Sequence, residues 1–401
     1  MKSESSLSPK KNKIRIAIVN SHPIQYFAPL YAYLNASDSL EITALYCSDF
    51  SLRGGLDPGF RQPVVWDVDL LAGYKAKFLG ERAKVRTPGG FWSLVCPEIW
   101  KEIRSGQYDA VILHGHNYAV NILALLAAKT SGVKVFIRGE THMGLQRSHV
   151  KQVIRKPLMN FLYRLCDRCL AIGTANEKFY LAMGVPTRKI VRVPYTVDNQ
   201  RFIKASTLSS EERVQVLAKL GVPPDKPVVL YASKFQKRKH PDDLIKAIAL
   251  LRDKGLECTV LMVGSGEMQT ELEELVKTLK LDGDVYFPGF VNQSMLPCVY
   301  SASDVFVLPS ENEPWGLVVN EVMCAGLPVV IADEVGCVSD LVKQGENGYL
   351  FKAGDVKDLA QSLAPLLVDA DLRKRMGQRS RERIEQWSYA KCLEGVLAAF
   401  K

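Results

Sequence analysis

The sequence predicts an α/β protein made of two Rossmann-like domains with parallel sheets. Short, nearly continuous apolar runs rich in β-branched residues recur along the chain, helical stretches separate them, and the pattern comes as two successive series. Strands apolar on both faces belong in parallel sheets covered by helices on both sides. At 401 residues the chain also exceeds what one compact core accommodates.

The first series reads "IRIAIVN" (14–20), "EITALYC" (41–47), "DAVILHG" (109–115), "VKVFIRG" (133–139), "CLAIG" (169–173) and "IVRVPY" (190–195), with helices such as "APLYAYLNA" and "AVNILALLAAKTSG" between them. The second reads "PVVLYAS" (227–233), "CTVLMVG" (258–264), "DVYFPGF" (284–290), "DVFVLPS" (304–310) and "LPVVIAD" (327–333). A polar stretch, "VPYTVDNQRFIKASTLSSEER", divides them. The expected organisation is a solvated tail over 1–13, an N-terminal domain over 14–198 and a C-terminal domain over 199–369. Residues 370–401 read as terminal helices crossing back to the first domain, with Trp387 as a packing residue. Residues 50–92, rich in Gly, Pro and aromatics, are long for a bare connector and read as a binding element.

The net charge of +9 is unevenly spread: residues 1–200 hold 27 Lys and Arg against 15 Asp and Glu, and the remainder 25 against 28. The basic first half suggests an anionic partner: membrane surface, phosphorylated acceptor or nucleic acid. "QRSHVKQVIRKPLMNFLYRLCDRC" concentrates this charge in Arg147, Lys151, Arg155, Lys156, Arg164 and Arg168, with Pro157 expected to break or start a helix. It reads either as a solvated helix face or as a surface docking on anionic lipid. No apolar run reaches membrane-spanning length and "MKSESSLSPKKNK" lacks a signal-peptide centre, so a cytoplasmic protein is expected, peripheral on the inner face of the membrane in the lipid reading. Nine irregularly spaced cysteines fit a reducing compartment. The C-x-x-C pair Cys166 and Cys169 has no second ligand pair and reads as buried packing, so no metal site is expected.

Ligands of open α/β sheets bind beyond the carboxyl ends of the strands, so two sheets facing an interdomain cleft should gather the functional motifs there. In "LPSENEPWGLVVNEVMCAG" a strand ends near Pro309, the loop carries Glu313, and Trp315-Gly316-Leu317 opens a helix bearing Glu321 about one turn in. Free amides at a helix start attract phosphate, and Gly316 removes a Cβ from their path. A carboxylate on the loop suits sugar hydroxyls and one deeper suits a ribose. The plainer reading is a solvated Glu313 and a first-turn Glu321 favoured by the helix dipole. "YASKFQKRKHPDDLIKAIALL" adds Lys234 and Lys239 beyond another strand end, able to neutralise a diphosphate, with Lys237 and Arg238 expected to be solvated. In the first half, His22, Gln25 and Tyr26 follow the first strand; His114 and His116 straddle a later strand end, with His116 farther out; and Arg138, Glu140 and His142 follow the next.

These motifs resemble glycosyltransferase family 4, retaining nucleotide-sugar enzymes of the GT-B fold, over nearly the whole chain and most closely over 227–351. The pattern comprises Glu313 and Glu321 as E-x7-E after Pro-Ser, then "AGLPVVIAD" and "QGENGYLF", together with "LMVGSGE" and "VYFPGFVNQSMLPCVYSASDVFVLPS". His-Pro-Ile-Gln-Tyr after the first strand resembles a bacterial subgroup.

The resemblance implies that Lys234 and Lys239 hold the donor diphosphate and Glu313 the transferred hexose. Gly316, Leu317 and Val318 would offer amides, Glu321 would hold the ribose, and Phe290 and Val291 would pack beside the base, a uridine by family analogy. Catalysis would involve Glu313, Lys239, Lys234, His116 and Glu140. Relatives often place a histidine where Glu140 stands, with His142 too far along, which leaves the first-half assignment open among His116, Glu140 and His142. His22, Gln25 and Tyr26 would lie on the acceptor side. No cofactor or metal is implied beyond the nucleoside-diphosphate sugar. Expected acceptors are hydroxyls of glycans or glycolipids in polysaccharide or glycolipid synthesis, with nucleic acid still open. A nucleotide-sugar epimerase of the same fold and a non-catalytic membrane- or nucleic-acid-binding scaffold are the rival readings.

Overall fold

A computed structural model describes residues 13–57, 59–84, 86–145 and 149–401 of the chain. Its strands are β1 (Ile14–Asn20), β2 (Leu40–Tyr46), β3 (Leu56–Asp57), β4 (Gln62–Pro63), β5 (Lys75–Phe78), β6 (Ala110–His114), β7 (Lys134–Arg138), β8 (Arg168–Ala171), β9 (Ile190–Arg192), β10 (Val228–Ala232), β11 (Thr259–Val263), β12 (Val285–Gly289), β13 (Val305–Leu308), β14 (Val329–Ala332) and β15 (Gly348–Phe351). All eleven strands expected from the apolar runs are present. The additions are the short β3–β4 hairpin and β5, both inside the 50–92 insertion, and β15, the "GYLF" segment.

Contacts divide the chain into two compact units. One holds Met1–Phe50 with Leu70–Ile137; the other holds Ser51–Asp69 with Arg138–Lys401. Part of the insertion therefore belongs with the second half, and so do residues 138–198, which the polar divide had grouped with the first.

Within the first unit the strands run β5-β2-β1-β6-β7, with parallel pairing from β5 through β6. β1 is buried from Ile16 onward, and the helix Ala119–Thr130 buries Val120, Ala124, Leu125 and Ala128. In the second unit β8 pairs parallel with β9, and six parallel strands run β12-β11-β10-β13-β14-β15. Every residue of β10, β11, β13 and β14 is buried, as strands covered on both faces require. The architecture is two Rossmann-like domains.

The terminal helices pack within the second unit. Ala370–Ile384 lies on Leu317–Cys324, and Tyr389–Ala398 lies on β9, where Cys392 Sγ donates to Pro194 O at 2.9 Å. Trp387 packs as expected, its ring 5.2 Å from that of Trp315. Buried Asn199 ties down the turn before the last helix, donating to Ile384 O and Trp387 O at 3.1 Å each.

The helix His149–Leu165 continues through Pro157, which corrects the expected break; one lost backbone hydrogen bond is absorbed inside a 17-residue helix. Arg147 lies outside the described residues, as do the side chains of Lys151 and Arg155. Cys166 and Cys169 are buried thiols, the latter pushed up to about 12 by burial. Among the described residues no helix is long and apolar enough to cross a membrane.

Gly377 lets its helix approach the turn at Gly326 so closely that an added Cβ would collide with the Gly326 carbonyl. Gly377→Ala should destabilise the second unit by about 1–3 kcal/mol, read as an earlier urea midpoint with its circular-dichroism spectrum retained.

Candidate active site

Two loops at the carboxyl ends of neighbouring strands build the site. After β13 the chain turns through Asn312 at φ +52° and Gly316 at φ +89°, then enters the helix Leu317–Cys324. Gly316 needs both its left-handed backbone and its missing side chain, since a Cβ would sit 3.1 Å from Val335 and 3.2 Å from Leu308. No side chain caps this helix, so the start formed by Leu317 and Val318 keeps its amides for another acceptor.

The loop itself is pinned from several sides. Gly336 N donates to Glu313 O at 3.0 Å, Cys337 N to Trp315 O at 3.2 Å, and Trp315 Nε1 to Asn320 Oδ1 at 2.9 Å. Asn320 Nδ2 in turn donates to Tyr195 O at 3.0 Å.

After β10 the chain makes a single turn, Lys237–Lys239, and enters the helix Pro241–Arg252 through His240 in the left-handed region at φ +46°. That conformation costs a non-glycine residue about 1–2 kcal/mol. His240 is held there by Asp243 at 3.2 Å and Glu311 at 3.3 Å, and Glu311 N donates to Arg238 O at 3.0 Å. His240, Asp242 and Asp243 are also the one grouping of metal-ligand type among the described residues, but Lys246 Nζ occupies Asp242 at 2.6 Å. The grouping therefore reads as the anchor of the turn.

The result is a buried ion pair, Lys239 Nζ on Glu313 Oε2, with Arg238 Nη1 3.8 Å from the same oxygen. Glu313 is buried, which removes the reading of it as a solvated loop residue. Arg238 is exposed as expected, yet its charge reaches the site. Burial first, then the Arg238 and Lys234 cations, pull the Lys239 ammonium down to about 7. The Glu313 carboxylate in contact with it favours the charged form and so acts against that pull.

Glu321 lies in the second turn of its helix and is 1% exposed, so it is not the first-turn acid of the plainer reading. Tyr300 Oη donates to its Oε2 at 2.7 Å, while its Oε1 is buried without a hydrogen-bond partner. Burial raises its carboxyl to about 7 against the Tyr300 bond and the Arg201 charge. A buried carboxylate oxygen left without a donor is costly, and its position suits a ligand hydroxyl.

Lys234 is half-buried and bonds Asp57 Oδ1 at 2.8 Å, with its Nζ 4.5 Å from the centre of the Phe60 ring. Sequence reasoning gave no hint of Asp57. Phe290 follows Gly289 at the end of β12 and packs edge-on against Phe60 at 4.9 Å and Trp66 at 6.1 Å; Val291 beside it is half-buried.

Of the residues after β7, His142 is the one on the Glu313 loop, contrary to its expected position too far along. Gly144 N donates to its Nδ1 at 3.2 Å, so Nε2 carries the proton and donates to Glu313 O at 3.1 Å. Burial holds this imidazole below its usual range, against the Glu334 charge, in keeping with the neutral form. Glu140 accepts from Tyr195 Oη at 2.5 Å, and Arg138 stacks over that ring at 5.1 Å.

In the first unit, Tyr31 Oη and His114 Nε2 lie 2.8 Å apart, and the His114 ring is 4.3 Å from that of Phe27, a packing role. His116, Gln25 and Tyr26 are half-buried. His22 Nδ1 lies 2.9 Å from Ser21 Oγ.

Residues 25–196 match the model of the glycosyl transferase 4-like domain, and residues 213–383 that of the glycosyl transferases group 1. Among curated relatives, sulfoquinovosyl transferase SQD2 of Arabidopsis thaliana is 30% identical over 302 residues, 73% of this chain and 56% of that protein. D-inositol 3-phosphate glycosyltransferase of Nocardia farcinica is 36% identical over 243 residues, 58% and 52%. The matched region thus spans little more than half of each. Among solved structures, HepE of Anabaena with UDP and glucose superposes with a TM-score of 0.71 at 18% identity, covering 96% of this chain and 99% of that one.

A carboxyl raised to about 7 in the folded protein and at its ordinary value of 4.5 when unfolded makes the native state bind the extra proton between those pH values. Its favourable contribution is full below pH 4.5 and is lost as pH rises through 7, by about 3 kcal/mol. Glu321→Gln should therefore gain thermal stability over the wild type as pH goes from 5 to 8; parallel melting profiles would mean that Glu321 titrates normally. The two matches thus assign residues 25–196 to the glycosyl transferase 4-like domains and residues 213–383 to the glycosyl transferases group 1, on a fold of two Rossmann-like domains.

Proposed function

We propose that the chain transfers a hexose from a nucleoside-diphosphate sugar, with UDP as the nucleoside diphosphate, to an acceptor hydroxyl with retention at the anomeric carbon and without a divalent metal. The observation that carries the reading is Glu321 with its one unmatched oxygen, buried on the helix whose uncapped start follows the Lys239–Glu313 pair. The uncapped amides suit phosphate, the orphaned oxygen suits a ribose hydroxyl, and Glu313 suits the hydroxyls of the transferred sugar. HepE, with its UDP and glucose ligands, lends the donor class support by likeness of fold.

On this reading the C1–oxygen bond to the diphosphate breaks as the acceptor oxygen bonds C1 on the same face. The departing phosphate oxygen takes the acceptor's proton, so no enzymic nucleophile is required. Lys239, Lys234 and the helix start stabilise the growing negative charge, the task a metal would otherwise have. His142 holds the Glu313 backbone in place; His22, Gln25, Tyr26 and His116 are acceptor-side candidates of the first unit.

The acceptor is proposed to be a glycan or glycolipid reached at the cytoplasmic face of a membrane. Leu158 and Phe161 are 60% and 62% exposed on the same helix as exposed Lys156 and Arg164, an apolar pair flanked by cations. Phe161→Ser should lower co-sedimentation with vesicles containing phosphatidylglycerol and leave neutral vesicles unaffected; equal binding to both would remove the lipid reading.

The central test is a screen of nucleotide sugars for thermal protection, followed by product analysis with and without acceptor. A UDP-hexose should protect the protein and give an α-linked product only with acceptor. Product from donor alone would make it an epimerase. Glu313→Ala and Lys239→Ala should each lower turnover by about 10²–10³-fold with the fold retained, and full activity in both would overturn the assignments.

A further inference from the structure

Residues 51–69, the part of the insertion that belongs to the second unit, meet the carboxyl ends of three neighbouring strands, β10, β11 and β12. Beyond β10, Asp57 bonds Lys234. Beyond β11, Ser265 Oγ donates to Phe60 O at 2.9 Å, and Arg61 lies 3.8 Å from Glu267. Beyond β12, Asn292 Nδ2 donates to Val65 O at 2.7 Å, Ser294 N donates to the Asp67 carboxylate at 3.2 Å, and Phe60 and Trp66 pack on Phe290.

The ammonium of Lys234 is enclosed on this side. Asp57 Oδ1 is its counter-charge, the Phe60 ring lies over it, and a Cβ on Gly59 would come within 2.6 Å of Nζ. The same Asp57 oxygen accepts from Gly59 N at 2.8 Å and Phe60 N at 3.0 Å, folding the tip into a compact turn. One carboxylate oxygen with three donors is arranged as a phosphate oxygen would be, on a lysine expected to hold phosphate.

We infer that Asp57 is an internal counter-anion that occupies the Lys234 subsite, so that a diphosphate ligand must displace it to bind, and that Asp57 thereby sets donor affinity. The inference rests on the donor reading of Lys234 given above. The exchange is feasible because the pair is only partly desolvated: the Lys234 and Asp57 side chains remain 31% and 23% exposed, and ion pairs in that setting are weak. A diphosphate brings more charge than one carboxylate and engages Lys239 and the helix start as well. The remaining clips are the hydrogen bonds at Phe60 O, Val65 O and the Asp67 carboxylate, the Arg61–Glu267 contact and the edge-on packing of Phe60 and Trp66 on Phe290, none of which involves the Asp57 carboxylate.

Asp57→Asn separates charge from structure, since the amide oxygen can still accept from Gly59 and Phe60. Calorimetric titration with inorganic pyrophosphate and with UDP, on the full chain, tests the inference. Asp57→Asn should bind both about tenfold tighter than the wild type, the size of one partly exposed charge-assisted contact. Lys234→Met should bind both more weakly and cancel the gain in the double variant. Equal or weaker pyrophosphate binding by Asp57→Asn, or no pyrophosphate binding by either protein, overturns the inference. UDP binding that fails while pyrophosphate still responds to the substitution overturns the nucleotide reading alone. Should the variant fold poorly, tryptic cleavage after Arg61 in the wild type gives an independent measure. Pyrophosphate should accelerate it several-fold, and an unchanged rate overturns the inference.

Discussion

The buried contact of Lys239 with Glu313 fastens two loops that leave neighbouring strands, β10 and β13. Each charge offsets the desolvation that burial imposes on the other, and Arg238 3.8 Å away adds to the compensation of Glu313. The pair also explains the strain around it. His240 and Asn312 hold left-handed backbones at the bases of the two loops, and each loop bonds the other through Glu311 and Arg238. The local cost is sustained because the strands behind are rigid and wholly buried.

Much of this was legible in the sequence. The strands were readable because burial on both faces forces unbroken apolar runs, a constraint local enough to survive without tertiary information. β5, "KAKF", escaped notice because at the sheet edge its lysines keep one side in water, and β3 and β4 are two residues each. That Lys239 and Glu313 lie on loops beyond strand ends, with Glu321 on the helix that follows, was legible because the apolar runs mark where each strand stops.

The failures are equally physical. Asp57 meets Lys234 across 177 residues, and nothing near either position announces the other. His142 was expected to lie too far along, yet Gly144 N donates back to its Nδ1 and its Nε2 donates to Glu313 O. Pro157 was read by its usual effect on isolated helices, while a long helix carries it.

The unmatched oxygen of Glu321 has a consequence for discrimination among nucleotides. On the proposed reading it awaits one of two vicinal hydroxyls of a pentose, and a ligand lacking one leaves a buried acceptor partly unsatisfied. Deoxynucleotide pools and their sugar conjugates would then be excluded by an energetic mismatch at one carboxylate, with no steric barrier needed.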